Sequence, residues 1–307
     1  MARKPTELSD FPLGTRRRHV AEEELFTAED LARFEALRTD TDVIVDDGPP
    51  EGDRWSIWDE SEPLQRGPRP FPEWVITDSG AVDYELGVLK TGKEADVVLL
   101  ERTVPGDGRT SLLASKRYRS AEHMMFHRSA DYTASRTTRK SRDRRALNRK
   151  STFGREVASM EWATAEFNAL KAFCEAGVPV PYPVQIVGRE VIMEFIGAGR
   201  SAAPRLAEMR PDADQLEDLW DQAYDAVLRI AELGYTHGDL SAYNIVVHDG
   251  RLVVIDLPQI VDLYMNPQGT DFLVRDVENL GAWFEQRGLG RSAVDDLLAD
   301  VLAIVAP

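Results

Sequence analysis

Three oxygen-bearing side chains, Asp239, Asn244 and Asp256, fall within YTHGDLSAYNIVVHDGRLVVIDLPQIVD (235–262), a stretch otherwise built of apolar strand formers. Residues 245–247 and 252–255 are β-branched runs separated by Asp249-Gly250, the strongest short hairpin signal a sequence can carry. Asn244 therefore enters one strand and Asp256 leaves the other. A hairpin brings its open ends together, so both side chains, with Asp239 five residues before Asn244, converge on one small volume. Two carboxylates and an amide suit Mg²⁺, which takes oxygen ligands and keeps water and substrate phosphate in its remaining positions.

Taken singly, each of the three reads as an ordinary turn or strand-end residue. Together they follow H-G-D-L-x-x-x-N, a hairpin and then I-D, which resembles the order of a kinase catalytic loop and its metal-binding aspartate. The pattern points to nucleotide phosphotransfer.

Such a site needs a phosphate lid, a cation and a base pocket. Residues 84–88 and 95–101 read as strands flanking Lys90-Thr91-Gly92-Lys93-Glu94, a tight glycine turn fit to cover phosphates. Gly87 to Lys93 also has the spacing of a P-loop. Glu94 stands where that loop needs Ser or Thr, however, and ADVVLL follows as strand instead of helix. Residues 112–118 form a third expected strand bearing Lys116, and a buried lysine costs energy unless paired. The expected partner lies on the amphipathic helix 156–176, where Val157, Met160, Trp162, Phe167, Leu170 and Phe173 form the apolar face. Spacing alone leaves Glu161 and Glu166 both open. A second hairpin, 184–187 with 190–195, ends at Met193-Glu194-Phe195-Ile196-Gly197, a strand edge at a lobe junction with backbone groups suited to a base. Helices are expected over 216–233, 270–287 and 293–305.

Composition bounds the rest. A chain of 307 residues, 43% hydrophobic and 29% charged, holds two modest lobes, and no apolar run reaches the roughly 20 residues of a membrane span. The charged N-terminus lacks the apolar core of a secretory signal, so a cytoplasmic location is expected. Cys174, the single cysteine, excludes an internal disulfide and reads as a small buried hydrophobe. Net charge is −16, yet 116–155 holds thirteen Lys and Arg against three acids. That insert reads as solvated linker, as a docking surface for RNA or ribosomal phosphate, or as a dock for an acidic protein. Upstream, one short helix near Thr27 to Leu37 is expected within Asp-, Gly- and Pro-rich chain, where Trp55, Trp58, Phe71 and Trp74 either dock on the body or lie in disordered segment.

Four blocks in order, GVLKTGKEADV (87–97), MEFIG (193–197), HGDLSAYN (237–244) and IDLPQIVD (255–262), resemble the RIO family of atypical serine protein kinases, most like its first subfamily. The resemblance covers about residues 74–290 and implies an α+β, two-lobed kinase-like fold, with a β-rich N-lobe and a compact, mainly helical C-lobe without an activation segment. The domain reading is an N-terminal extension 1–73, an N-lobe 74–197 containing the basic insert 117–155, and a C-lobe 198–307. Further implied are ATP and Mg²⁺ as cofactors, serine autophosphorylation or ATPase turnover, a protein substrate and a link to small-subunit ribosome maturation. By position, the resemblance makes Asp239 the catalytic aspartate, Asn244 and Asp256 metal ligands and Lys116 the strand lysine. It selects Glu166 over Glu161, assigns the ATP loop to Lys90, Thr91, Gly92 and Lys93, and the hinge to Glu194 and Ile196. Ser241 replaces the lysine of ordinary kinases, so charge on the γ-phosphate falls to Lys93; Ala242 and Asp96 depart from the usual Glu and Asn. Two rivals remain: a nucleotide-gated assembly factor docking through the insert, and a small-molecule phosphotransferase sharing H-G-D-L-x-x-x-N. The KTGKEA loop and short C-terminal region weigh against the latter.

Overall fold

The computed structural model describes residue 49, residues 51–119 and residues 152–306, with the side chains of 152–158 outside that description. The expected helix near Thr27 and the body of the basic insert lie outside the described residues. No described helix is long and apolar enough to cross a membrane.

The N-lobe is one six-stranded antiparallel sheet in the order β1-β2-β3-β4-β6-β5. Its strands are β1 (Arg54–Trp55), β2 (Val82–Thr91), β3 (Ala95–Thr103), β4 (Thr110–Tyr118), β5 (Pro183–Val187) and β6 (Glu190–Glu194). Helix α1 (Thr152–Glu175) joins β4 to β5. It packs on the inner face through Ala163, Phe167, Leu170 and Phe173, whereas Met160, expected on the apolar face, is exposed.

The expected boundary at 73/74 is corrected. Arg54 and Trp55 pair with Asp83 and Val82, so the sheet starts before the presumed extension ends. Residues 51–76 form a strap over the outer face, where Trp58 and Val75 share a core with Val98, Leu100, Leu113, Tyr182, Val184 and Ile192. Aromatic edges secure it, with Trp58 on Phe71 at 5.2 Å and Trp74 on Tyr182 at 5.7 Å. The strap also reaches the far edge, since the Gly67 amide donates to the Val184 carbonyl at 3.0 Å. A Cβ at Gly67 would lie 2.0 Å from the Pro183 carbonyl, so only glycine fits that approach. The physical cause is plain: an outer face this apolar needs a cover, and edge strands need partners.

Beneath the strap a charged network crosses the sheet. Arg102, fully buried, donates to Asp83 at 2.7 and 3.0 Å and to Gln185 at 2.8 Å. Glu190 accepts from Arg54 at 2.7 and 2.8 Å, from Arg117 at 2.9 Å and from the Ser115 hydroxyl. Burial pushes the Glu190 carboxyl up, but these donors prevail and hold it at about 2.

Past the short hairpin β7 (Gly197–Ala198) and β8 (Ser201–Ala202), the C-lobe is mainly helical. Helix α2 (Ala213–Glu232) opens with a reciprocal cap between Asp212 and Gln215 and buries Leu216, Leu219, Trp220, Ala223, Val227 and Ile230. Strand β9 (Tyr235–Thr236) pairs with β12 (Val261–Asp262), and β10 (Ile245–His248) with β11 (Arg251–Val254). Asp249 and Gly250 both take positive φ, 47° and 75°, as the tight hairpin turn demands. Helices α3 (Gly269–Glu285) and α4 (Arg291–Val305) close the lobe. Only residues 263–268 separate β12 from α3, which leaves no room for an activation segment there.

Candidate active site

The expected cation and its partner meet. Ladder pairs share a face, so the Lys116–Val97 and Tyr118–Ala95 pairs place Lys116 and Tyr118 on the inner face of β4. Ser115 and Arg117 face outward to Glu190. From the inner face the Lys116 ammonium reaches Glu166 Oε1 on α1 at 2.5 Å and Asp256 Oδ1 at 2.8 Å. The structure thus brings Glu166 to the lysine. Burial disfavours the Lys116 charge, yet the two carboxylates outweigh it and raise its pKa well above the ordinary value. For Asp256, burial pushes upward while Lys116, with Lys90 behind it, pulls the carboxyl down to about 2. Asp256 also holds a left-handed φ of 68°, uncommon for a residue other than glycine.

The loop from His237 to Asn244 is held by backbone bonds. Buried His237 uses Nε2 toward the Ile255 carbonyl at 3.0 Å and accepts from the Asp239 amide at Nδ1 at 3.3 Å, tying the loop to the residue before Asp256. The amide of Ile255 donates to the Asn244 carbonyl at 2.9 Å. Asn244 Nδ2 donates to the Asp239 carbonyl at 2.9 Å, which leaves Oδ1 as the side chain's acceptor. Asp239 itself is exposed between buried Gly238 and Leu240, open to a substrate. Asp239, Asn244 and Asp256 are therefore linked through one set of contacts.

Among the described residues no three His, Cys, Asp or Glu side chains gather as a metal cluster. A metal here would rely on Asp256 and Asn244 Oδ1 and complete its shell with water and phosphate. That sparse, all-oxygen donor set fits Mg²⁺ and suits neither zinc nor calcium.

Lys90, Thr91, Gly92 and Lys93 lie at the β2–β3 turn, closed by the Gly92 amide on the Ala95 carbonyl at 2.9 Å, with both lysines exposed. At the hinge the Glu194 amide donates to the Tyr182 carbonyl at 2.8 Å, and the Ile196 carbonyl accepts from Ala203 at 2.9 Å. Those bonds fix the segment linking the lobes.

Sequence reading missed what anchors the loop. Buried Asp276 on α3 accepts from the Thr236 hydroxyl at 2.7 Å and from the amides of Gly238 at 2.6 Å and Leu240 at 2.9 Å. Neighbouring Arg275 donates to the Gly238 carbonyl. The available signal was an acid in an apolar stripe, since Asp276 sits at helical spacing between Leu273, Val277 and Leu280.

The sequence model of the RIO domain matches residues 112–297. The RIO-type serine/threonine-protein kinase Rio1 of Haloferax volcanii is 32% identical over 70% of this chain and 68% of its own. Saccharomyces cerevisiae serine/threonine-protein kinase RIO1 is 34% identical over 42% of this chain, a match spanning 27% of the yeast protein. A crystal structure of the Rio2 kinase–ADP/Mg²⁺–phosphoaspartate complex from Chaetomium thermophilum superposes with a TM-score of 0.49 at 22% identity, covering 71% of this chain and 66% of that one. With a domain match across more than half its length and a relative aligned over two thirds of both chains, the protein belongs to the RIO family.

Proposed function

We infer that the protein is an ATP- and Mg²⁺-dependent serine/threonine protein kinase of the RIO type. One observation carries the reading: Lys116 joins Glu166 and Asp256 at 2.5 and 2.8 Å, so strand, helix and post-hairpin loop present a single cation beside a metal-competent carboxylate. When bound, Mg²⁺ supplies electrostatic stabilisation of phosphate charge. Asp256 and Asn244 would hold it. Lys116 would position the phosphates against Glu166, the turn at Lys90 to Lys93 would cover them, and Glu194 and Ile196 would border the base. Asp239 would orient the acceptor hydroxyl and take its proton. Positioning and charge carry most of the work in such a reaction.

Calorimetry tests the metal assignment directly. Mg²⁺ should tighten ADP binding to the wild type at least about tenfold, and Asp256→Asn should erase most of that gain. Equal metal dependence in both proteins would contradict the role of Asp256.

A protein serves as phosphoacceptor in this proposal, and the cytoplasm as the working compartment. Of the expected insert 117–155, residues 120–151 lie between β4 and α1 and are further proposed to contact RNA or ribosomal phosphate, supported by nine basic against three acidic residues over that stretch. RNA affinity should then fall steeply with salt and collapse on removal of 136–150; salt-insensitive binding, or binding that survives the deletion, would rule the contact out.

A further inference from the structure

We propose that the protein takes acidic acceptor segments, with Arg205 and Arg275 reading aspartate or glutamate on either side of the serine or threonine that receives the phosphoryl group. The inference rests on the kinase reading and adds the substrate class to it.

Arginine grips the catalytic loop at both ends. Arg275 on α3 donates through Nη2 to the carbonyl of Gly238, the residue before Asp239. Arg205 donates through Nη1 to the carbonyl of Tyr243, the residue before Asn244, at 2.9 Å. Each of these bonds takes one N–H, and a guanidinium carries five. Among the described residues neither guanidinium is closed by a carboxylate, whereas Arg102 ends on Asp83, Arg119 on Asp96 and Arg291 on Glu278. Glu208, three residues from Arg205, is engaged by backbone: its carboxylate accepts from the Arg205 amide at 3.1 Å.

Both arginines are held in place. The segment bearing Arg205 is stitched to the loop, with the Val247 amide on the Pro204 carbonyl at 3.0 Å and the Ala207 amide on the Ala242 carbonyl at 2.9 Å. The Arg275 guanidinium lies over the Phe272 ring, 4.6 Å from its centroid. Guanidinium groups fixed in this way match carboxylates well, since the planar fork meets both oxygens. Between the two ends Asp239 is exposed, and Tyr243, 64% exposed, gives an incoming backbone an apolar surface to lie on.

Nucleotide phosphate is provided for elsewhere, by Lys116 and the turn at Lys90 to Lys93 in the N-lobe, while both arginines belong to the C-lobe. The two gripped carbonyls are five residues apart, no more than about 18 Å even in extended chain. An extended acceptor segment advances about 3.3 Å per residue, so the acids fall within about three residues of the acceptor, one on each side. The net charge of −16 favours a basic partner instead. A preference for acid must therefore come from these two side chains.

Peptides with one central serine flanked by aspartate, alanine, arginine or phosphoserine test this. They are offered with Mg·ATP to the full chain, to Arg205→Gln, to Arg275→Gln and to the double variant, with thermal melting as the folding control. Because both arginines also brace the loop, the readout is the ratio of kcat/KM between aspartate and alanine peptides, in which a general loss of rate cancels. The wild-type ratio should be at least about tenfold, falling about threefold in each single variant and to about one in the double. A wild-type preference for the alanine or arginine peptide, transfer to the phosphoserine peptide alone, or an aspartate ratio that survives in the double variant would overturn the proposal. Self-phosphorylation with no transfer to any peptide would overturn it too. Absence of transfer to any peptide and to the chain itself would instead sink the kinase reading on which it rests.

Discussion

At the scale of single residues, charge is placed so that burial loses to pairing. Asp256 and Glu190 are both held at about 2, one by Lys116 on the inner face of the sheet and the other by Arg54, Ser115 and Arg117 on the outer face. Glu190 is the cleaner probe, since its side chain is 14% exposed and touches no residue assigned to nucleotide. Its folded pKa lies below the unfolded value of about 4.3, so its contribution is present above that pH and lost as pH falls toward 2. Glu190→Gln should cost on the order of 2 kcal/mol at neutral pH, or several degrees in Tm, with the gap to wild type closing between about pH 5 and 2. Melting curves across that range decide it; a gap that ignores pH would show that Glu190 contributes packing alone.

At the scale of elements, the parts legible in the sequence were those fixed by local rules. Asp249-Gly250 dictated the hairpin, and the hairpin dictated where Asn244 and Asp256 emerge. Apolar spacing found all four described α-helices within a few residues. What stayed hidden depends on partners distant in sequence. Asp276 looked like an acid misplaced on a helix stripe, and its purpose appears only where α3 passes beneath Gly238 and Leu240. Asp276→Asn turns an NH₂ group toward donors that need an acceptor. It should lower kcat by at least about tenfold and destabilise the fold by roughly 2–4 kcal/mol, seen in turnover and urea unfolding together. Unchanged turnover in a folded variant would mean that Asp276 supports the lobe without setting the loop.

At the scale of the whole molecule, the strap 51–76 and the site occupy opposite faces of one sheet. The strap pairs at β1, crosses the outer face through Trp58 and Trp74, and bonds β5 at Gly67, so both edges of the sheet are engaged. Its tryptophans were visible in the sequence, but Pro- and Gly-rich composition left docking and disorder equally open, because composition reports local stiffness and not an apolar surface waiting elsewhere. The central claim is that this framework presents Asp239, Lys116 and Asp256 for transfer of a phosphoryl group. Incubating the purified full chain with Mg²⁺ and γ-labelled ATP, with Asp239→Asn and a metal-chelated sample alongside, tests it most directly. Label on protein serine or threonine that requires Mg²⁺ and falls by at least about a hundredfold in Asp239→Asn is the predicted result. Equal labelling by Asp239→Asn, or no transfer by a folded wild type that binds Mg·ATP, would contradict it.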